Sequence, residues 1–163
     1  MTTSNSNESI FDILQHSSKF NTTVEIALSN TVPDLGPPLR FKISIDDHVM
    51  CEDEVSDTFS ITKTIPVQSG DNYLTIEHID RDNLNTETDD TGNVLNTAMI
   101  HIDKIKINGI KFNCGSGWND RNVFEPRYDD NFLEWTRKHA PGSNLPDQLP
   151  ASHDIGIMGK LKI

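Results

Sequence analysis

The stretch His78–Asn93, "HIDRDNLNTETDDTGN", gathers Asp80, Asp82, Asn85, Glu87, Asp89 and Asp90, with Arg81 as its one arginine. Calcium takes about six to eight oxygen ligands from carboxylates, amides and carbonyls. These six residues are therefore a candidate calcium set. The spacing departs from the helix-loop-helix calcium pattern, because Leu84 stands where a third oxygen side chain belongs and no glycine occupies the sixth position. A solvated acidic connection is the weightier reading of such a loop. A second constellation is Trp118, Asn119 and Asp120, with Tyr128 further along. An aromatic ring flanked by amide and carboxylate groups suits the apolar face and hydroxyl rim of a sugar. The competing reading has Trp118, Phe124, Tyr128, Phe132 and Trp135 burying their rings to close one end of the fold, since large aromatics dominate burial. Asp46-Asp47-His48 reads as a turn. Catalytic spacings such as Gly-x-Ser-x-Gly or His-Glu-x-x-His are absent from the sequence, so no enzyme is expected.

The elements that would position these residues alternate with period two. Val24, Ile26 and Leu28 share one face, as do Leu39, Phe41, Ile43 and Ile45; Phe59, Ile61, Ile65 and Val67 follow, then Leu74 and Ile76. This is the pattern of strands with one buried face. Turn-forming clusters separate them: "PDLGPP", "IDDH" and "QSGDN". "IKINGIKF" is a hairpin signal, because Asn-Gly accepts positive φ at both central positions of a type I′ turn. The face set by Ile100 and Ile102 slips at Asp103-Lys104 to Ile105 and Ile107, which predicts a bulge. "DDNFLEWTRKHAPG" reads as one short helix, with acids at its start, bases at its end and Pro141-Gly142 as the stop. Ile10, Ile13 and Leu14 fall at helical spacing in an N-terminal arm. The expectation is an all-β sandwich of jelly-roll type divided into an arm (1–21), a core (22–113) and a C-terminal extension (114–163) that packs on the sandwich and returns a last strand.

A formal net charge of -11 on 163 residues disfavours nucleic acid and anionic membrane surfaces as partners. Hydrophobic content of 34% leaves part of the chain for loops or contact surface. Cys51 and Cys114 lack zinc-ligand spacing and read as unpaired thiols of a protein made in reducing cytoplasm. The opening residues have neither the positive start nor the apolar core of a secretory signal.

The order of features in "TVEIALSNTVPDLGPPLRFKISIDDHVM", "SGDNYLTIEHIDRD" and "AMIHIDKIKINGIKF" resembles small β-sandwich accessory proteins of tailed bacteriophage virions, marine and cyanobacterial phages especially. Their cores are similar to calcium-dependent carbohydrate-binding modules. "VFEPRY" and a closing "MGKL" resemble the ends of such proteins. The resemblance implies a structural virion component, made in the host cytoplasm and placed at tail, baseplate, neck or head surface. Its implied partners are other virion proteins and copies of itself. The alternative it carries is a module for host-surface glycans, with calcium as the one cofactor the loop could take.

Overall fold

The computed structural model describes residues 19–112, 123–156 and 158–163. The alternating segments become strands: β1 (Lys19–Asn30), β2 (Leu39–Ile45), β3 (His48–Val55), β4 (Thr58–Gln68) and β5 (Leu74–Asp80). After a single 3-10 turn, Asn83–Asn85, come β6 (Thr86–Thr88), β7 (Val94–Thr97), β8 (Ile100–Ile107) and β9 (Ile110–Phe112). The C-terminal part supplies β10 (Val123–Pro126), helix α1 (Asp130–His139), β11 (Leu149–Pro150), β12 (Asp154–Ile155) and β13 (Gly159–Lys162). Two antiparallel sheets face each other. One runs β12-β8-β1-β4 with β9 added to β8, and the other runs β11-β10-β13-β5-β2-β3. The β6–β7 hairpin stands apart as a third, two-stranded sheet. The chain changes sheet from β1 to β2, from β3 to β4 and from β4 to β5, so both layers are built together, as in a jelly roll. The expected all-β sandwich is the observed architecture.

Burial follows the period-two reading. Val24, Ile26, Leu28, Leu39, Phe41 and Ile43 are fully buried, and Ile76 and Ile100 join them from β5 and β8. Burying each such side chain contributes about 1.5–3 kcal/mol. The Phe41 and Phe59 rings meet edge-on across the layers at 4.7 Å. The phase slip in β8 is a bulge: Ala27 pairs with Lys104 and Leu28 with Ile102, leaving Asp103 as the extra residue. The Asn108-Gly109 turn has φ of 50° and 81°, the positive pair that a type I′ hairpin needs.

The sequence boundaries shift at two places. Residues 19–21, read as the end of the arm, begin β1, because Lys19, Phe20 and Asn21 are already in register with Gln68, Val67 and Pro66. The C-terminal extension does more than return one strand. β13 sits between β10 and β5 inside the second sheet, while β12 extends the first. Glycines at 156 and 159 weakened the strand signal there, yet Leu161 is fully buried opposite Ile76. The expected N-terminal helix near Ile10 lies outside the described residues.

Candidate functional site

The acidic connection folds on its own side chains. Asp82 accepts from the Leu84 N–H at 2.9 Å, and the Asn85 side-chain oxygen accepts from the Asp82 N–H at 2.9 Å, a reciprocal cap on the 3-10 turn. Asn85 is 1% exposed, and its amide donates to the carbonyls of Leu35 (3.0 Å) and Pro37 (2.8 Å). This one side chain ties the connection to the β1–β2 loop. At the hairpin tip, Asp89 accepts from the N–H groups of Thr91 and Asn93, from the Thr91 hydroxyl at 2.6 Å and from the Asn93 amide. The Thr91 hydroxyl, followed by Asn93, holds the Asp89 carboxyl far below the usual carboxylate range. A depressed folded-state value gives order that is present above the ordinary carboxylate range and is lost as pH falls through the depressed value. Asp89→Ala is therefore expected to speed amide exchange at Thr91 and Asn93 at neutral pH, while amides in β1 and β5 stay protected. Unchanged exchange at the tip would show that the backbone holds the turn without Asp89.

Helix α1 stands beside the hairpin. Asp129 caps it by accepting from the Phe132 N–H at 2.7 Å, and Arg137, Lys138 and His139 fill its last turn. This is the charge order read from the sequence. The rings of Phe132, Trp135 and His139 fall on one side of the helix, as spacings of three and four require, and Tyr128, just before the N-cap, continues the row. Tyr128 and Phe132 stack at 5.3 Å, Phe132 and Trp135 lie 6.5 Å apart, and Trp135 and His139 stack at 5.2 Å. The hairpin meets this row at its far end. Gly92 has φ +88°, and a Cβ there would fall 2.6 Å from His139 Cε1. Gly92→Ala is expected to cost about 1–2 kcal/mol, part from the backbone and part from the ring. With His139→Ala already present, the ring's share should vanish in a double-mutant denaturation cycle. Equal costs in both backgrounds would mean that the loop does not rest on the helix.

Between these walls runs a groove of about 490 Å³. Phe132, Trp135, Val94 and Met158 supply its apolar lining. Asp82, Asn83, Asp129, Asn131 and the hydroxyls of Thr86, Thr88 and Thr97 supply acceptors and donors. Arg81 and Arg127 also line it. Arg81 does not answer the acids around it in sequence. It donates instead to the Gly156 carbonyl and to the hydroxyls of Thr86 and Thr97, stapling the base of the hairpin to the C-terminal segment. Burial pushes its guanidinium below its ordinary value, and the charge of Asp129 acts the other way. Arg127 donates to the Ile79 carbonyl and touches the Met158 sulfur at 3.5 Å.

Of the proposed calcium residues, Asp82 and Asn85 are spent on the 3-10 turn and Asp89 on the hairpin tip. Asp80 lies 3.9 Å from Arg40, while Glu87 and Asp90 are exposed. Among the described residues no group of three or more His, Cys, Asp or Glu side chains is placed to hold a metal ion. Of the proposed sugar residues, Trp118, Asn119 and Asp120 lie outside the described residues. Tyr128 starts the aromatic row and donates its hydroxyl to the Pro146 carbonyl at 2.9 Å. Phe124 is 7% exposed and belongs to the core, as the burial reading of the aromatics has it; Trp135, at 38%, does not. The sequence reading did not assign the groove to Arg81, Arg127, Asp129, Asn131, Phe132 and Trp135. The spacing of Phe132, Trp135 and His139 within the helical segment is the signal that could have found one aromatic face.

A larger concavity of about 980 Å³ covers the outer face of the second sheet. Its charges are arranged for one another. The cross-strand register places Glu125, Lys160, Glu77, Lys42 and Glu52 in one alternating row. Lys42 pairs with Glu77 at 2.7 Å, and Lys162 reaches Glu125 at 2.8 Å. Surface charges satisfied in this way offer a ligand less than the groove, where an exposed indole meets amide, hydroxyl and carboxylate groups.

Fold and groove together define an all-β sandwich carrying an aromatic, polar-rimmed cleft between a hairpin and a helix. No family model matches the sequence, and no curated protein sequence matches it either. Among solved structures, "vCBM60 in complex with galactobiose" is similar with a TM-score of 0.45 and 11% identity, over 86% of this chain and 95% of that one. A likeness at that level says nothing of ligand or site. The virion expectation finds no support among these comparisons.

Proposed function

We propose that this chain is a carbohydrate-binding domain that holds a glycan in the groove between the β6–β7 hairpin and α1. One observation carries the reading: Trp135 keeps a large exposed indole surface in a groove also lined by carboxylate, amide, hydroxyl and guanidinium groups. A pyranose has an apolar C–H face and a rim of hydroxyls. An aromatic platform beside fixed donors and acceptors answers both, and a groove of this volume suits a small oligosaccharide. Asp82 and Asp129 have their geometry set by backbone caps, which makes them positioned acceptors for sugar hydroxyls.

The test is a glycan array followed by calorimetry on the hits, with calcium and with chelator. At least one glycan family should bind, and neither binding nor melting temperature should depend on calcium, because the described residues bring no three acidic, His or Cys side chains together to hold a metal ion. A calcium-dependent rise in melting temperature would place a cation in the loop and return it to the site. Binding to no glycan at millimolar concentration would end the carbohydrate reading. Release of reducing sugar on incubation would make the domain an enzyme.

A further inference from the structure

The reading of the groove as a glycan site leaves two of its groups unexplained. Arg81 and Arg127 both line it, and among the described residues neither has a carboxylate within 4 Å. The better-satisfied cations behave otherwise: Arg40, Lys42, Lys104 and Lys162 each reach an acid. Carboxylates are close by, and the charge of Asp129 acts on Arg81 from beyond 4 Å, but both acids make their hydrogen bonds to backbone. Asp82 is turned to the N–H of Leu84 and Asp129 to the N–H of Phe132, where the helix N-terminus also favours its charge. Among the described residues Arg81 donates to three neutral oxygens, and Arg127 to one carbonyl and one sulfur. A guanidinium has five N–H donors in a fork that fits a carboxylate. In both side chains the Nη2 hydrogens are already donated, and Nε–H and Nη1–H remain for a carboxylate oxygen.

Resting on the glycan reading, we infer that the groove selects a sugar carrying an isolated carboxylate, a hexuronate or a nonulosonate, held by Arg127 and Arg81. The aromatic row takes the ring face, the caps and amides take hydroxyls, and the guanidiniums take the acid. At physiological salt the field of the distant acids fades over about 8 Å, so a carboxylate inside the groove meets the guanidiniums of Arg81 and Arg127 together with the backbone-capped carboxylates of Asp82 and Asp129. A densely sulfated polymer would instead lie along the surrounding acidic surface and is disfavoured.

Matched glycan pairs decide it: oligosaccharides ending in glucuronate, galacturonate or a nonulosonate, each beside its carboxyl methyl ester. The full chain should bind at least one free acid about tenfold or more tighter than its ester, the gain of charge-assisted hydrogen bonds. Which acid does so separates the two sugar sources. Arg127→Gln should bring that acid down to the level of its ester, and Arg127→Lys should restore part of the gap. Free acids and esters bound alike would overturn the inference while leaving a glycan site standing, as would an acid preference that survives in Arg127→Gln. Failure to bind any member, acidic or neutral, would remove the glycan reading itself.

Discussion

Replacing Trp135 by alanine should weaken glycan binding by roughly thirtyfold, about 2 kcal/mol, and leave the fold nearly as stable as before. The two halves of that expectation have different sources. Binding falls because the indole is the largest exposed apolar surface in the groove, and truncating a central aromatic removes both its contact area and its exclusion of water. Stability holds because the ring neighbours of Trp135 among the described residues are Phe132 and His139 along α1, and it takes no part in the core that Phe41, Ile43 and Ile76 share with β1 and β8. Trp135→Phe should retain a ring and lose less. Calorimetry gives the affinity and denaturation the stability. Fluorescence adds an independent check, since Trp118 is the only other indole: a ligand-induced change that is missing in Trp135→Phe assigns the contact. If Trp135→Ala binds as wild type, the groove is not the site, and the concave face carrying Tyr73 becomes the place to look.

The strands were legible because burial and backbone obey the same period. Val24, Ile26 and Leu28 could be placed on an inner face from their spacing alone, and the slip at Asp103-Lys104 announced its bulge. The helix was legible because its charges run acid to base. The groove was not, for a physical reason. Its members come from the loop after β5, the β6–β7 hairpin, the segment after β10, α1 and the run before β13, and no local pattern says that these meet. Arg81 shows the difficulty most clearly. Surrounded in sequence by Asp80 and Asp82, it looks like their counter-ion, yet its bonds go to Thr86, Thr97 and Gly156. The acids around it misled in the same way. Asp82 and Asp89 are better described as local caps than as a converging cage, and capping by a short acidic side chain leaves little trace in sequence beyond the residue type. The Gly92–His139 contact explains why the loop can be long and acidic and still form a defined wall.

Asn85→Asp, a change of one amide nitrogen to oxygen, is expected to be the most damaging single substitution in this wall, and acid should partly reverse it. The Asn85 side chain accepts one N–H, from Asp82, and donates to two carbonyls, of Leu35 and Pro37, at a site that is 1% exposed. A carboxylate keeps the first bond and turns the other two into repulsions between oxygens, while burying a charge with no cation bonded to it among the described residues. Leaving buried carbonyls unpaired costs about 1–3 kcal/mol, and the unpaired charge adds to that, so a loss of roughly 3–4 kcal/mol at neutral pH is expected. The sign of the pH dependence follows from where the proton goes. In the folded state the new carboxyl would hold its proton to a higher pH than in the unfolded chain, because ionisation is penalised only when folded. Below the ordinary carboxylate range both states are protonated, and the acid O–H can donate to one carbonyl, so part of the stability returns. As pH rises, the unfolded chain ionises first and stability falls until the folded carboxyl ionises too. Asn85→Leu, neutral at every pH, should lose about 2–3 kcal/mol with no such slope. Urea denaturation of both variants between acid and neutral pH, referred to wild type, measures the difference. A flat profile for Asn85→Asp would mean that the carboxylate finds water or a cation there. The tie between the 3-10 turn and the β1–β2 loop would then be looser than three hydrogen bonds on one buried amide imply, and the groove wall built on it would owe its shape to Arg81 and the Gly92–His139 contact instead.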